Sequence, residues 1–436
     1  MRFYDRKTEL RTLAAIEKSS RRSSQFTLLT GRRRVGKTAL LQEAFKGRHC
    51  LYLFVARKSE TLLCESFQQA AQQSLGLPVF GRIVRFRDLF EQLLIHAKDT
   101  HLTLMIDEFQ DFARVNPALF SEMQELWDRY KDTAKINLVV CGSIYSLLVR
   151  IFENQKEPLF GRLTNRMELA PFSTATIKEV LSDHNADYTP EDLLSLYLLS
   201  GGLPKFLALL MDADATSHSQ MLRYATSQGS PFLTEGKDIL VSEFGKDYGT
   251  YFSILQLIAS NKTSASEMSS IIGRSAGPYL ENLSQEYSLV RRLRPIFSKP
   301  QSRNNRWRIS DHYLNFWFRF IYANQALVEL QRFDLLHELL QRDYPAYSGL
   351  VLEDYFRTKV MEKGRFTEVG SYWDRKGENE LDLIALSSLD KKALVAEVKR
   401  NASRIDLAIL KAKAQTLQSE LARLKVEYRG LSMEDM

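Results

Sequence analysis

The chain has 436 residues, 44% of them hydrophobic and 26% charged, with a formal net charge of +7. This is the composition of a soluble globular protein too long for one ordinary core, so two to four domains are expected, and its mildly basic balance permits a polyanionic partner without demanding one. The three cysteines, Cys50, Cys64 and Cys141, have neither metal-ligand nor redox spacing, Met1–Arg6 lacks the apolar core of a signal peptide, and no uncharged run reaches the roughly 18 residues that span a bilayer, so a reducing, cytoplasmic location away from the membrane is expected.

Apolar runs at 26–30, 50–55, 102–107, 136–141 and 166–169 alternate with helical patterns, which predicts a parallel α/β sheet with helices on its faces. Between the strand-like Phe26–Thr30 and the helical Ala39–Phe45 stands Gly31-Arg32-Arg33-Arg34-Val35-Gly36-Lys37-Thr38. It satisfies G-x-x-x-x-G-K-[ST] in the strand–loop–helix context that phosphate binding requires. The glycines let backbone N–H groups close on the β-phosphate at a helix N-terminus. The candidate nucleotide-binding residues are therefore Gly31, Arg34, Val35, Gly36, Lys37, Thr38 and Ala39. Lys37 would reach the β- and γ-phosphates and the Thr38 hydroxyl would ligate Mg²⁺, so ATP and Mg²⁺ are the expected ligands.

Leu102–Glu108 is an apolar strand ending in two carboxylates. Asp107 can hold the Mg²⁺ shell and Glu108 can orient or deprotonate the attacking water. After the next buried run, Leu138–Gly142, Ser143 is a candidate for a polar group beside the γ-phosphate, for a helix N-cap, or for both. Arg162 and Arg166 are candidates for an arginine finger acting on a neighbouring copy in a homo-oligomer; a solvated basic turn is the other reading.

Phe3-Tyr4-Asp5-Arg6-Lys7-Thr8-Glu9-Leu10 resembles the F-x-x-R-x-x-E-L box of AAA+-like, STAND-type ATPases, where it cups the adenine. With the phosphate loop and Ile106-Asp107-Glu108-Phe109-Gln110, the chain resembles the archaeal-type ATPases, in which a triple arginine inside the loop is ordinary. Ser200-Gly201-Gly202-Leu203-Pro204 resembles the G-G-x-P signature of that family's helical lid; a helix C-cap followed by a proline start reads equally well.

Residues 171–240 read as short helices with polar joints, suited to a lid over the nucleotide. From about 245 to 322 the pattern is helix 249–259, helix 266–272, a glycine-bearing turn, helix 278–287 and two β-like runs, Leu289–Phe297 and Arg306–Ile309, which is the order of a winged helix. The presumed recognition helix carries Glu281 and Glu286 and no basic residue, whereas the wing carries Arg291, Arg292, Arg294, Lys299, Arg303, Arg306 and Arg308. If this domain meets DNA, the wing is expected to supply most phosphate contacts; otherwise it is a packing module. The aromatic run Tyr313–Ile321 reads as an apolar helix buried between domains, and it resembles a segment of the same family.

Glu380–Leu386 and Ala393–Lys399 read as antiparallel strands, and 404–425 as a helix packed on them. Glu397 and Lys399, two apart, share a strand face, and Asp382 can face the same place. Asp382 and Glu397 would bind one or two Mg²⁺ ions, Lys399 would stabilise charge on a phosphate under attack, and Glu353 (with Asp354 as its competitor) would complete the shell. This set is similar to the PD-(D/E)xK nuclease superfamily, and in particular to the nuclease-like domain that follows archaeal-type ATPases. The expected fold is α/β: a P-loop NTPase core at 1–170, a helical lid at 171–240, a winged helix at 241–322, a helical linker at 323–345 and an α/β nuclease-like domain at 346–436. The function implied is Mg²⁺-dependent ATP hydrolysis coupled to binding or cleavage of nucleic acid, DNA before RNA. The alternative is an ATP-dependent assembly switch whose last domain only binds.

Overall fold

The computed structural model describes every residue except 77–80, 245–247, 300 and 303. The chain folds as two compact units, Asp5–Ala170 and Met1–Tyr4 with Pro171–Met436. In the first, β1 (Gln25–Gly31), β2 (Cys50–Phe54), β3 (Leu102–Asp107), β4 (Ile136–Cys141) and β5 (Asn165–Leu169) form one parallel sheet in the order β2-β3-β4-β1-β5. Every residue of β3 and β4 is buried, so these central strands read as unbroken apolar runs with both faces covered. One face packs Phe26, Phe109, Trp127 and Phe152 around β1, with ring centroids 5.0–5.7 Å apart. The strand order changes direction beside β1, where α/β sheets open a crevice at the carboxyl ends of their strands. α1 (Lys37–Ala44) starts there, directly after the loop from β1.

The second unit begins with helices. Thr189 and Asp192 form a reciprocal capping box for Pro190–Ser200. The Ser200–Pro204 segment ends that helix with Gly201 at φ 55° and starts the next with Pro204 at its first turn. Gly202 has φ 78°, and a Cβ there would lie 2.5 Å from the Phe172 carbonyl oxygen, so the turn requires glycine.

Helices α2 (Tyr248–Ala259), α3 (Ala265–Ile272) and α4 (Gly277–Gln285) precede an antiparallel ribbon of β6 (Val290–Leu293) and β7 (Arg306–Ile309). The first ribbon strand is four residues long and stops well short of the expected Phe297, whose φ is 67°. Tyr313, Phe316, Trp317, Phe318 and Phe320 are buried, which removes them from any base-stacking surface. They are packed partly against Gly236, where a Cβ would meet the Trp317 ring at 2.3 Å.

A 30-residue helix, α5 (Phe333–Glu362), runs through Pro345, so the residues expected as a linker continue without a break into the last segment. There β8 (Glu368–Trp373), β9 (Glu380–Ser387), β10 (Lys392–Val398) and β11 (Lys425–Leu431) form a sheet in the order β11-β10-β9-β8. The β9–β10 antiparallel pair matches the expectation, with Ala396 opposite Leu383. The expected single helix over 404–425 is not formed. Instead α6 (Leu407–Ala414) and short turns at 415–421 lead into β11, which pairs in parallel with β10. Val426 and Tyr428 pack on the core while Lys425, Glu427 and Arg429 are exposed, a period of two that overrides the helical spacing of the leucines before it.

Candidate active sites

The first site stands at the ends of β1, β3 and β4. Gly31 has φ 141°, and a Cβ there would lie 2.6 Å from the Leu169 carbonyl oxygen. Arg34 (φ 72°) and Gly36 (φ 92°) carry the chain round the loop, and Val35 is buried beneath it. The positive φ of Arg34, rare outside glycine, is held by the surrounding structure. Lys37, 7% exposed, donates to the carbonyls of Gly31 at 2.8 Å and Arg32 at 3.2 Å. Its ammonium thus closes the mouth of the loop that it would open to a phosphate. Thr38 follows within α1, and Ala39 is exposed one residue on. Arg6, buried in the opening segment, donates to the Val35 carbonyl at 3.4 Å and pairs with Glu9 at 3.3 Å. Burial holds its guanidinium below the usual arginine range, against the pull of Glu9.

Thr38 Oγ1 donates to Asp107 Oδ2 at 2.7 Å. Asp107 also accepts from Tyr52 OH at 2.9 Å, from the Cys141 thiol at 3.1 Å and from the Glu108 backbone N–H at 2.9 Å. Burial, reinforced by Asp107, pushes both the Cys141 thiol and the Tyr52 phenol well above their ordinary ranges, so both remain protonated donors. Glu108 sits in the left-handed region at φ 54°. Its Oε2 accepts from Gln110 Nε2 and from Ser143 Oγ at 2.8 Å, while the Ser143 N–H lies 3.4 Å away. Lys37, Thr38, Asp107, Glu108 and Ser143 are therefore linked round one crevice. Tyr52, Gln110 and Cys141 belong to it although sequence reasoning did not assign them. For Gln110 the signal was its place two residues after Glu108; Tyr52 and Cys141 gave none beyond their strands. Arg162 and Arg166 are engaged within the same unit, Arg162 with Asp128 at 3.0 Å and Arg166 with Glu153 at 2.6 Å.

The second site lies on the C-terminal sheet. Asp382 Oδ2 accepts from the Val398 N–H at 2.9 Å and from Lys399 Nζ at 3.2 Å, and Lys399 lies 3.3 Å from Glu397 Oε1. Burial depresses the Lys399 ammonium, but Asp382 and Glu397 outweigh it and raise its pKa. Glu397 Oε2 is buried without a hydrogen-bond partner among the described residues. Glu353 opens on the same cleft, of ≈ 590 Å³, with Lys399, Arg400 and Arg404 in its walls and Gly349 on the facing turn of α5. Burial pushes its carboxyl up to about 7, with Asp382 adding to the push and Arg357 opposing it. Among the described residues no three His, Cys, Asp or Glu side chains are gathered closely enough to hold a metal by themselves.

Asp354 is turned the other way. It pairs with Arg291 at 2.5 Å, Arg357 at 3.1 Å and His312 at 3.6 Å. Burial would raise its pKa, but these cations outweigh burial and hold it far below the usual carboxylate range. Arg357 also donates to the Asp382 carbonyl at 2.8 Å and lies 3.4 Å from Glu353. Glu353, not Asp354, therefore faces the cleft, and Arg357 is a residue of this site that the sequence did not reveal.

The expectation that the ribbon supplies phosphate contacts needs correction. Arg291 is bound to Asp354, Arg306 pairs with Glu380 at 2.6 Å, and Arg308 is buried close to Asp354. Arg292 lies 3.7 Å from Glu281. Arg303 lies outside the described residues; Arg294 and Lys299 remain exposed. The acidic side chains of α5 and β9 claim cations that, counted in sequence, point to a polyanion.

Residues 3–210 match the model of a family described as an ATPase domain predominantly from Archaea, and residues 317–413 match one described as archaeal and bacterial proteins of unknown function; together the two span well over half of the chain. An uncharacterized protein of Methanocaldococcus jannaschii is 29% identical over 414 residues, which are 91% of this chain and 87% of that one. General secretion pathway protein A of Aeromonas hydrophila is 25% identical over 252 residues, 53% of this chain and 43% of its own. The solved structure of a Walker-type ATPase of Pyrococcus abyssi shares the fold, with TM-score 0.56 at 18% identity over 73% of this chain and 96% of its own. A phosphate loop set against a strand-end Asp-Glu pair and a family match over that same region lead to one conclusion: the chain is an archaeal-type ATPase, followed by the domain described as archaeal and bacterial proteins of unknown function.

Proposed function

We propose that Lys37, Thr38, Asp107 and Glu108 are the hydrolytic machinery of this ATPase, and that its output is an action on nucleic acid through the C-terminal domain. The observation that carries the first part is the 2.7 Å Thr38–Asp107 contact beside Glu108. These hard oxygen donors suit Mg²⁺, which keeps few protein ligands and takes the rest from phosphate and water. A bound Mg²⁺ would neutralise charge on the β- and γ-phosphates. Lys37 would leave the Gly31 and Arg32 carbonyls for the same phosphates. Glu108 would accept the proton of the attacking water as its oxygen bonds to the γ-phosphorus and the bond to the β–γ bridging oxygen breaks. Ser143 and Gln110, which bind Glu108 Oε2, would position that carboxylate.

In the second unit we read α2–α4 with the β6–β7 ribbon as a winged helix, Pro171–Leu240 as the lid, and β8–β11 with α5 as the nuclease-like domain. Glu353, Asp382 and Glu397 would hold a divalent cation there, and the partnerless buried Glu397 Oε2 is the donor that fits one. Such an ion supplies Lewis-acid polarisation of a phosphodiester. Lys399 would move its ammonium from Asp382 to the phosphate oxygen on which charge builds. On this reading Lys399→Ala lowers Mg²⁺-dependent nicking of plasmid or oligonucleotide by about 10²-fold or more while ATP turnover is unchanged. Wild-type protein that cuts no form of DNA or RNA would refute the nuclease role. The second reading, a domain that only binds, is favoured by the ion pairs that Lys399 already makes with both carboxylates. It predicts binding that survives Lys399→Ala and slow ATP turnover tied to assembly.

A further inference from the structure

The C-terminal sheet carries another cleft, of ≈ 400 Å³, bounded by the end of α5, the β9–β10 turn and β11. Lys392 and Leu394, which line it, are even-numbered positions of β10, whereas Glu397 and Lys399 are odd. It therefore opens on the opposite face of the sheet from the carboxylates. Lys392 also stands at the other end of β10, five residues or roughly 17 Å from Glu397.

Its floor is apolar, with Phe356, Val360 and Leu394 buried, and its rim is basic. Lys363, Arg365, Lys392 and Arg429 are exposed on three separate elements. None of these four makes an ion pair within 4.0 Å among the described residues, in contrast to Arg291 and Arg306 of the ribbon. Lys359 adds to the same field. It donates to the Asp435 carbonyl at 2.6 Å, and burial, with Lys178 and Lys363 nearby, holds its ammonium below the usual lysine range. The acidic members are fewer and partly engaged: Asp390 bonds Ser387 at 3.2 Å and Asp435 accepts from the Ser432 N–H at 2.8 Å, leaving Glu427. Like charges gathered round a concavity without partners repel one another and raise the local potential for an anion.

We propose that this cleft binds the phosphates of a nucleic-acid strand. The cations are spread over α5, β10 and β11, which suits an extended polyanion; a lone phosphate would engage one or two of them. Half-buried Phe366 in the cleft wall adds the aromatic surface that strand binders use for bases. The proposal names a second contact surface for the nucleic-acid role proposed above, so its test avoids cleavage altogether.

The test is the affinity of the full chain for a fluorescent single-stranded oligonucleotide in EDTA, over a series of salt concentrations. Two double variants, Lys363→Ala with Arg365→Ala and Lys392→Ala with Arg429→Ala, are compared with wild type and with Lys399→Ala. Each double variant should bind roughly tenfold more weakly and lose about 1.4 from the slope of log affinity against log salt, about 0.7 per phosphate released. The thermal transition and ATP turnover should stay as in wild type, because all four side chains are exposed. Wild-type slope and affinity in both doubles would overturn the cleft while leaving the broader nucleic-acid role standing, and the cations would then serve only to shield an edge strand. Absence of binding by wild type would overturn both. Competition by inorganic phosphate or free nucleotide as effective, per phosphate, as the unlabelled strand would overturn the strand as ligand.

Discussion

Lys37→Ala is expected to lower ATP turnover by about two to three orders of magnitude, measured as phosphate release at saturating Mg²⁺. The expectation follows from where the ammonium sits. It is buried to 7% exposure and held by two loop carbonyls, so the structure has already desolvated a charge and aimed it at the space inside the loop. Truncation to a methyl removes the charge and leaves the carbonyls of Gly31 and Arg32 facing a phosphate. Lys37→Arg should rescue poorly, since a planar guanidinium is wider than the mouth that a single ammonium closes. Retention of full turnover by Lys37→Ala would place the phosphate contacts elsewhere.

Asp354→Ala is expected to destabilise the second unit by about 3–5 kcal/mol, because removing one partner of a buried ionic network leaves the others uncompensated. Arg357 and His312 are 13% and 16% exposed at their side chains, and Arg308 is buried beside them. No water-exposed alternative is open to Arg357 without giving up the Asp382 carbonyl. The loss should appear as a fall of roughly 6–20 °C in the thermal transition of that unit. Arg291→Ala is the contrast. That side chain is 45% exposed and Asp354 keeps its other cations, so the cost should stay within about 1 kcal/mol. Equal melting of the two variants would mean that Asp354 does not organise this cluster.

What could be read in advance was local. The phosphate loop needs a strand, a turn with left-handed backbone and a helix within a few residues, and Gly31–Thr38 wrote all three in sequence. The strand-end carboxylates, Asp107 and Glu108, were legible because β3 is an unbroken apolar run that stops at a charge. The β9–β10 pair and the shared face of Glu397 and Lys399 followed from a period of two. Features set by contacts distant in sequence could not be read. The partners of Arg291 and Arg306 lie 63 and 74 residues away, on helix and strand surfaces that a charge count does not see. Tyr52 joins the site only because β2 happens to neighbour β3. β11 was lost because the leucines at 410, 417, 421 and 424 continue a helical spacing up to its first residue, and the change of period starts only at Val426. Gln110 stood in plain view beside Glu108, but its role rests on a side-chain contact that spacing alone does not predict.

The most direct test of the account separates binding from hydrolysis at Glu108. Nucleotide affinity and single-turnover ATP hydrolysis are measured on wild type and Glu108→Gln. The account predicts that the variant binds ATP with wild-type affinity, because Lys37, Thr38 and Asp107 are untouched, and that it hydrolyses the bound ATP at least about 10²-fold more slowly. Hydrolysis at the wild-type rate in Glu108→Gln would contradict it.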